Sequence, residues 1–260
     1  MRDALLRHPD WLAPAWDVAR VGALMTTRHG GVSMAPFDSL NLRAAVGDDP
    51  PAVAENQRRL AQAIGARPVF LNQVHGAAVA HLSAADVRAG AALHTADASV
   101  TTEPGVGCAV QVADCLPVLF AAPQGRAVGA AHAGWRGLAL GVLEATLAAV
   151  CAAAQCEPGE VQAWLGAGIG PAHFEVGPDV LEAFGASAAG SPRFVARQPG
   201  KWLADLPALA RDRLQAAGVR AVSGGDWCTV ADASRFFSFR RDRVTGRMAA
   251  VVWIEATQGR

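Results

Sequence analysis

Four short apolar runs crowd the stretch between residues 98 and 132 and constrain the fold more than any other feature of the sequence. Residues 98–102, 107–112, 116–121 and 127–132 are each too short for a core helix and read as strands. Gly134 and Gly137 then lead into a helix that runs to about residue 153. Further strands are predicted at 68–74, 161–165 and 247–254, and helices at 51–65 and 207–217. The first of these helices has Asp48 and Asp49 near its start, Val53, Leu60 and Ile64 at near-helical intervals, and Gly65 as its stop. Segment 185–200 is rich in small residues and turn formers and reads as a surface loop. Strands and helices mixed in this way imply an α+β fold of layered sheets with helices packed outside.

The 260 residues suffice for one large domain or two small ones, and no repeat, low-complexity tract or composition break marks a linker. The 23 basic residues balance 23 acidic ones, so nothing favours a polyanionic partner and no nucleic acid is expected. Lys201 is the only lysine, which nearly excludes Schiff-base catalysis and leaves arginine to clamp carboxylate or phosphate. Five cysteines, at 108, 115, 151, 156 and 228, are odd in number and scattered, which points to a reducing compartment and not to a disulfide framework. The N-terminus carries acids and Pro9 where a signal peptide needs an uninterrupted apolar stretch. The most apolar segment, 138–156, is broken by Glu144 and Gln155 and falls short of the roughly 20 residues that span a bilayer. It reads as a buried helix of a cytoplasmic protein with no membrane partner.

Three segments each deliver one soft, metal-capable side chain. They are NQVHG at 72–76, ADCLP at 113–117 and AHAGWRG at 131–137, which carry His75, Cys115 and His132. Two imidazoles and one thiol suit a tetrahedral zinc whose fourth position stays open for water or substrate. The separations of 40 and 17 residues place no pair on one helical turn, so tertiary structure must assemble the site. His75 and His132 sit beside glycine at predicted strand ends, whereas His8, His29, His81, His94 and His173 read as ordinary core or surface histidines. A free cysteine commonly packs as a small hydrophobe, but Asp114 and Pro117 argue that Cys115 lies on a turn at a cleft.

Weaker signals frame these. Arg28, in TTRHGGVS at 26–33, could hold an anion together with backbone N–H groups, or be an ordinary loop arginine. The glycine-rich 166–171 follows a strand, yet Pro171 occupies the place of the third glycine of a dinucleotide fingerprint. Arginines alternating with Phe236, Phe237 and Phe239 over 235–241 read as a strand with one buried face rather than a nucleic-acid surface. There is no nucleophile elbow, no phosphate loop and no deaminase signature. A metal centre and a Cys–His nucleophile pair both remain.

Taken together, TTRHGGVS, PFDSLNL at 36–42, NQVHG, ADCLP, AHAGWRG and SRFFSFRR at 234–241 strongly resemble the YfiH-type laccase-domain family, whose members are named polyphenol oxidase or purine nucleoside phosphorylase. The resemblance runs in order from about residue 20 to residue 256. It implies a single layered α/β/α domain with mixed sheets over 1–260 and a metal-binding cleft. By motif it implies that His75, Cys115 and His132 are zinc ligands, and that Arg28, Asn41 and Gln73 are pocket residues. The implied activity is phosphorolysis of adenosine, inosine and guanosine to free base and ribose 1-phosphate, with adenosine deamination and methylthioadenosine phosphorolysis beside it. Nucleoside and phosphate would then be the partners, and Arg28 a candidate for the phosphate. Copper polyphenol oxidation is disfavoured because a multicopper oxidase needs H-x-H pairs, which this sequence lacks. Two further alternatives are a Cys–His amidase editing cell-wall peptide precursors and a non-enzymatic, metal-dependent interaction protein. Many relatives carry cysteine after the Ile-Gly-Pro turn where this chain has Ala172-His173, so a thiol there is not required and His173 is a possible fourth ligand.

Overall fold

The computed structural model describes residues 7–256 apart from 89 and 186–189. The N-terminal half forms β1 (Val21–Met25), α1 (Pro50–Ile64), β2 (Arg67–Val69), β3 (Val79–His81) and β4 (Ala98–Thr101). Then follow β5 (Val106–Val112), β6 (Leu116–Ala121), β7 (Val128–Ala133), α2 (Trp135–Ala139), α3 (Val142–Ala154) and β8 (Gln162–Leu165). The chain ends through β9 (Glu175–Val176), α4 (Pro178–Ala183), β10 (Phe194–Gln198), β11 (Lys201–Ala204), α5 (Leu206–Ala216), β12 (Ala221–Gly224), α6 (Phe239–Asp242) and β13 (Met248–Ile254). Among the described residues no helix is long and apolar enough to cross a membrane.

A six-stranded mixed sheet, in the order β12-β8-β6-β7-β4-β3, stacks on a four-stranded mixed sheet in the order β1-β13-β5-β2. A small three-stranded sheet, β10-β11-β9, completes the fold. Period-two alternation sorts the strands between two apolar layers. Cys108 and Val110 of β5 and Ala250 and Val252 of β13 meet Leu119, Val128 and Ala130 of the larger sheet. Their neighbours Ala109, Ala249, Val251 and Trp253 turn the other way, onto Leu60 and Ile64 of α1. The outer face of the larger sheet, with Val118, Phe120 and Ala131, is covered by Leu143, Leu147 and Val150 of α3 and by Ala210 and Leu214 of α5. The β layer between the helices is therefore double, which explains why β5, β6, β7 and β13 are buried along their whole length and read as unbroken apolar runs.

The expected elements are present with instructive departures. The predicted strand over 68–74 narrows to β2, and the predicted helix after Gly134 divides into α2 and α3 at Gly141, whose φ of 90° an L side chain rarely adopts. The loop expected over 185–200 contains β10, while residues 186–189 of it lie outside the described residues. Segment 235–241 is not a strand: consecutive Phe236 and Phe237 are both buried, and α6 begins at Phe239.

Candidate metal centre

Strand register assembles the triad. In the larger sheet β7 lies between β6 and β4, with His132 opposite Pro117 and Ala131 opposite Ala98. Cys115 immediately precedes β6, so its side chain reaches the end of β7 where Gly134 begins the turn into α2. A Cβ added at Gly134 would stand 2.9 Å from both Cys115 Sγ and His75 Cδ2, so only glycine lets the three segments close. His75 arrives from the loop before β3, which pairs with β4 on its other side.

One ligand atom from each of His75, Cys115 and His132 lies within 4.8 Å of the other two. Cys115 Sγ is 3.7 Å from His75 Nε2, and the two imidazoles meet edge to face with centroids 4.8 Å apart. Tetrahedral zinc, with bonds of about 2.3 Å to sulfur and about 2.0–2.1 Å to nitrogen, separates such donors by about 3.6 Å. The donor set and its spacing therefore fit a tetrahedral metal.

Asp97 orients these ligands, and its carboxylate is fully used. Oδ1 accepts the His75 N–H at 2.9 Å and lies 2.8 Å from His132 Nδ1; Oδ2 accepts the N–H groups of Val74 at 3.1 Å and Gly76 at 2.7 Å. Committing Nδ1 of His132 to Asp97 leaves Nε2 for a metal, the arrangement by which outer groups fix a ligand's tautomer and direction. Burial works against the Asp97 charge, but the His132 and backbone donors outweigh it and hold the carboxyl below its usual range. Cys115 behaves similarly: desolvation opposes its ionisation, yet His132 and His75 draw the thiol down to about 6. For His132, burial disfavours the charged ring while Cys115 and Asp97 together raise it to about 9.

The loops carrying the ligands are strained and braced. His75 and Asp114 both adopt left-handed backbone, with φ of 62° and 90°. Asp114 is held on three sides: Oδ1 accepts from Thr229 Oγ1 at 2.6 Å, Oδ2 from the Arg240 N–H at 2.6 Å, and its carbonyl from the Ile169 N–H at 2.8 Å. These contacts fix Cys115 from segments far downstream in the chain, around residues 169, 229 and 240.

Two cavities meet at His75 and Cys115. One, of about 370 Å³, is lined by Arg43, Gln73, Gln111, Phe239 and Arg247 along with all three ligands, and no carboxylate borders it. The other, of about 260 Å³, shares His75, Cys115 and Phe239 and adds Trp135, Arg136, Phe174 and Arg240. Burial, and then repulsion from Arg43, lowers the Arg247 guanidinium, and the opposing pull of Cys115 and Asp114 does not offset them. The first cavity is cationic, a lining that suits an anion, and the second offers flat aromatic walls.

The other expected pocket residues take different places. Gln73 lines the cationic cavity, but its amide is spent on the backbone of Gln111, donating to its carbonyl at 2.9 Å and accepting its N–H at 2.8 Å. Asn41 is fully buried, and its Oδ1 accepts the backbone N–H groups of Arg43 at 3.1 Å and Arg247 at 2.9 Å, which brings the two arginines together. Arg28 lines neither cavity; it donates to the Asp38 carbonyl and carboxylate and to the Ala233 carbonyl, and lies over the Phe237 ring. Of the arginines, Arg43 and Arg247, and not Arg28, line the cavity beside the triad. His173 stays out of the metal group; its Nδ1 faces Cys228 Sγ at 3.4 Å, so the fourth position is not closed by it. Asp97, Arg43 and Arg247 carried no motif signal of their own, while Asp114, Trp135 and Arg136 were inside motifs already singled out.

Fold and site together define a layered α+β protein with a candidate three-donor metal site between a cationic cavity and an aromatic one. The chain belongs to the family described as multi-copper polyphenol oxidoreductase laccase, which it matches over residues 22–255. It is 51% identical over 249 residues to a purine nucleoside phosphorylase of Pseudomonas aeruginosa, covering 94% of this chain and 98% of the relative. It is 48% identical over 246 residues to the purine nucleoside phosphorylase YfiH of Escherichia coli, with 94% and 98% covered. Among solved structures, a Neisseria meningitidis protein superposes with a TM-score of 0.86 at 45% identity, covering 95% of this chain and 100% of that one. YlmD from Geobacillus stearothermophilus superposes with a TM-score of 0.88 at 35% identity, covering 95% and 96%.

Proposed function

We propose that this chain is a zinc-dependent purine nucleoside phosphorylase acting on adenosine, inosine or guanosine, with adenosine deamination and methylthioadenosine phosphorolysis accommodated in the same site. The observation that carries the reading is the pair of cavities meeting at His75 and Cys115, one cationic without a carboxylate and reaching His132, the other walled by aromatic rings. The names of relatives that cover nearly the whole chain support it. Arg43 and Arg247 would hold phosphate, and Trp135, Phe174 and Phe239 would cover the purine. A phosphate oxygen then bonds to C1′ of the ribose as the C1′–N9 bond breaks and its electron pair leaves with the base. Arg136, which lines the aromatic cavity, would donate to the base edge where that charge collects. A metal held by the triad would supply Lewis-acid polarisation of a substrate oxygen. The donor set accepts copper as well, but phosphorolysis involves no redox change, so zinc is the proposed ion. The same reading places the enzyme in the cytoplasm, where thiols such as Cys115 stay reduced.

The test is chromatographic product analysis of zinc-loaded protein with inosine or adenosine, with and without phosphate. Phosphate-dependent release of hypoxanthine or adenine is expected. Cys115→Ala should abolish it, and Arg247→Ala should raise the KM for phosphate about 10–100-fold, the weight of about 1.5–3 kcal/mol for a charged hydrogen bond, with a smaller effect on nucleoside. No base release and no deamination would end the nucleoside reading. The lowered thiol of Cys115 beside His75 Nε2 would then favour a Cys–His amidase, recognised by a trapped acyl-enzyme.

A further inference from the structure

Away from the triad, three more metal-capable side chains meet where the N-terminal segment crosses the 26–33 loop. His8 and Asp10 share a tight turn closed by the Trp11 N–H donating to the His8 carbonyl at 3.1 Å. Asp10 Oδ2 is 2.9 Å from His29 Nδ1 and 3.8 Å from His8 Nδ1, and one ligand atom from each residue lies within 4.8 Å of the other two. The imidazole rings stand 5.5 Å apart at centroids, tilted by 45°.

We propose that His8, Asp10 and His29 form a second, independent site for a borderline divalent transition metal of the zinc or cobalt class. Tetrahedral bonds of about 2.0–2.1 Å place nitrogen and oxygen donors about 3.4 Å apart, and the two observed donor distances lie on either side of that value. Two imidazoles and a carboxylate match zinc and cobalt(II) in softness, unlike calcium or magnesium, which take all-oxygen shells. The two halves of the site are held against each other, so the donors stand close together before an ion arrives, and an ion has only to displace the Asp10 N–H that His8 Nδ1 accepts at 3.3 Å. Arg235 Nη2 donates to the Asp10 carbonyl at 3.1 Å, and the Leu12 N–H to the Met25 carbonyl at 2.9 Å, which binds the turn to the end of β1. Trp11 Nε1 reaches the His29 carbonyl at 3.4 Å from the opposite segment. All three ligands are part-exposed, which gives an ion access and leaves coordination positions to water. The consequence is a metal staple between the N-terminal segment and the 26–33 loop, without any role for the triad.

The experiment is a cobalt(II) titration of the chelator-treated full-length chain, followed by absorption spectroscopy. Wild type should bind two equivalents. A Cys115→Ala/His75→Ala variant should bind one, with ligand-field bands but no thiolate-to-cobalt charge transfer. His29→Gln alone should keep the charge-transfer band and lose the other equivalent, its dissociation constant rising by more than the about 10–100-fold that losing an outer-shell partner costs. His8→Gln should do the same, with circular dichroism to verify folding of each variant. Cobalt should also raise the melting temperature of the triad-less variant, and adding His29→Gln to it should remove that rise. A triad-less variant that binds no cobalt, or binds it equally well with His29→Gln added, overturns the proposal. Neither result depends on nucleoside turnover, so the site stands or falls apart from the proposed function.

Discussion

Asp97 shows how much of the site rests on one side chain. An ionised carboxylate offers about four lone-pair positions, and here four donors converge on them, three from the backbone of 74–76 and one from His132. Asp97→Asn places an NH2 against N–H donors that it cannot accept, so zinc affinity should fall about 10–100-fold in a competition titration against a chelating dye. A melting experiment should show a parallel loss of about 1–3 kcal/mol, the cost of stranding a buried donor. Cys115 makes a second residue-scale prediction. Its folded pKa of about 6 is depressed, so the thiolate persists at neutral pH and is lost as pH falls through about 6. In chelated protein, alkylation of Cys115 should be fast at pH 7 and should decline below 6, as read by peptide mass spectrometry. Cys108 and Cys151, pushed by burial up to about 12 and about 11, should stay unmodified over that range. A Cys115 profile centred near 9 would count against the imidazole contacts.

Elements become sites here where ordinary strand pairing stops. The run at 68–74 has the apolar composition of a strand, but its pairing with β5 ends at Val69, Asn72 pairs instead with the 94–95 segment, and the N–H groups of 74–76 go to the Asp97 carboxylate. That exchange turns His75 into left-handed backbone and aims it at Cys115, a conformation costing about 1–3 kcal/mol that the Asp97 hydrogen bonds offset. No local pattern announces it, because the acceptor lies more than twenty residues downstream. Gly134 is the legible counterpart: a glycine between a strand and a helix signals close backbone approach, and the structure shows the thiol and imidazole it admits. Gly134→Ala should force Cys115 and His75 apart, lowering zinc stoichiometry measured after gel filtration while far-ultraviolet circular dichroism stays near that of wild type. Retained stoichiometry would mean that the loop shifts instead.

At the scale of the whole molecule, the doubled β layer carries the site by pinning both sheets between helices. Trp253 is the largest side chain between β13 and α1, with the Arg7 guanidinium over its ring and Gly22 leaving room for its indole. Trp253→Ala should cost about 3–5 kcal/mol, read as a lower urea midpoint at unchanged slope. The same scale joins the cationic cavity, since Arg43 and Arg247 come from opposite ends of the chain and are brought together by the Asn41 side chain and by the Leu42 N–H donating to the Arg247 carbonyl.

The sequence by itself determined the strands of the double layer, because residues buried on both faces must be apolar throughout, and it pointed to His75, Cys115 and His132 as candidate ligands, through two histidines beside glycine turns, a cysteine in ADCLP and the family resemblance. It also pointed to Asn41 and Gln73 without saying that both spend their amides on backbone. Tertiary structure alone decided the rest. Asp97 becomes the ligand brace through the β4–β7 register, Arg28 spends its guanidinium on Asp38 and Ala233, and Arg247 lines the cavity. A side chain's type is local information, whereas its hydrogen-bond partner is set by which distant strand lies beside it, and that pairing is fixed only when the whole core closes.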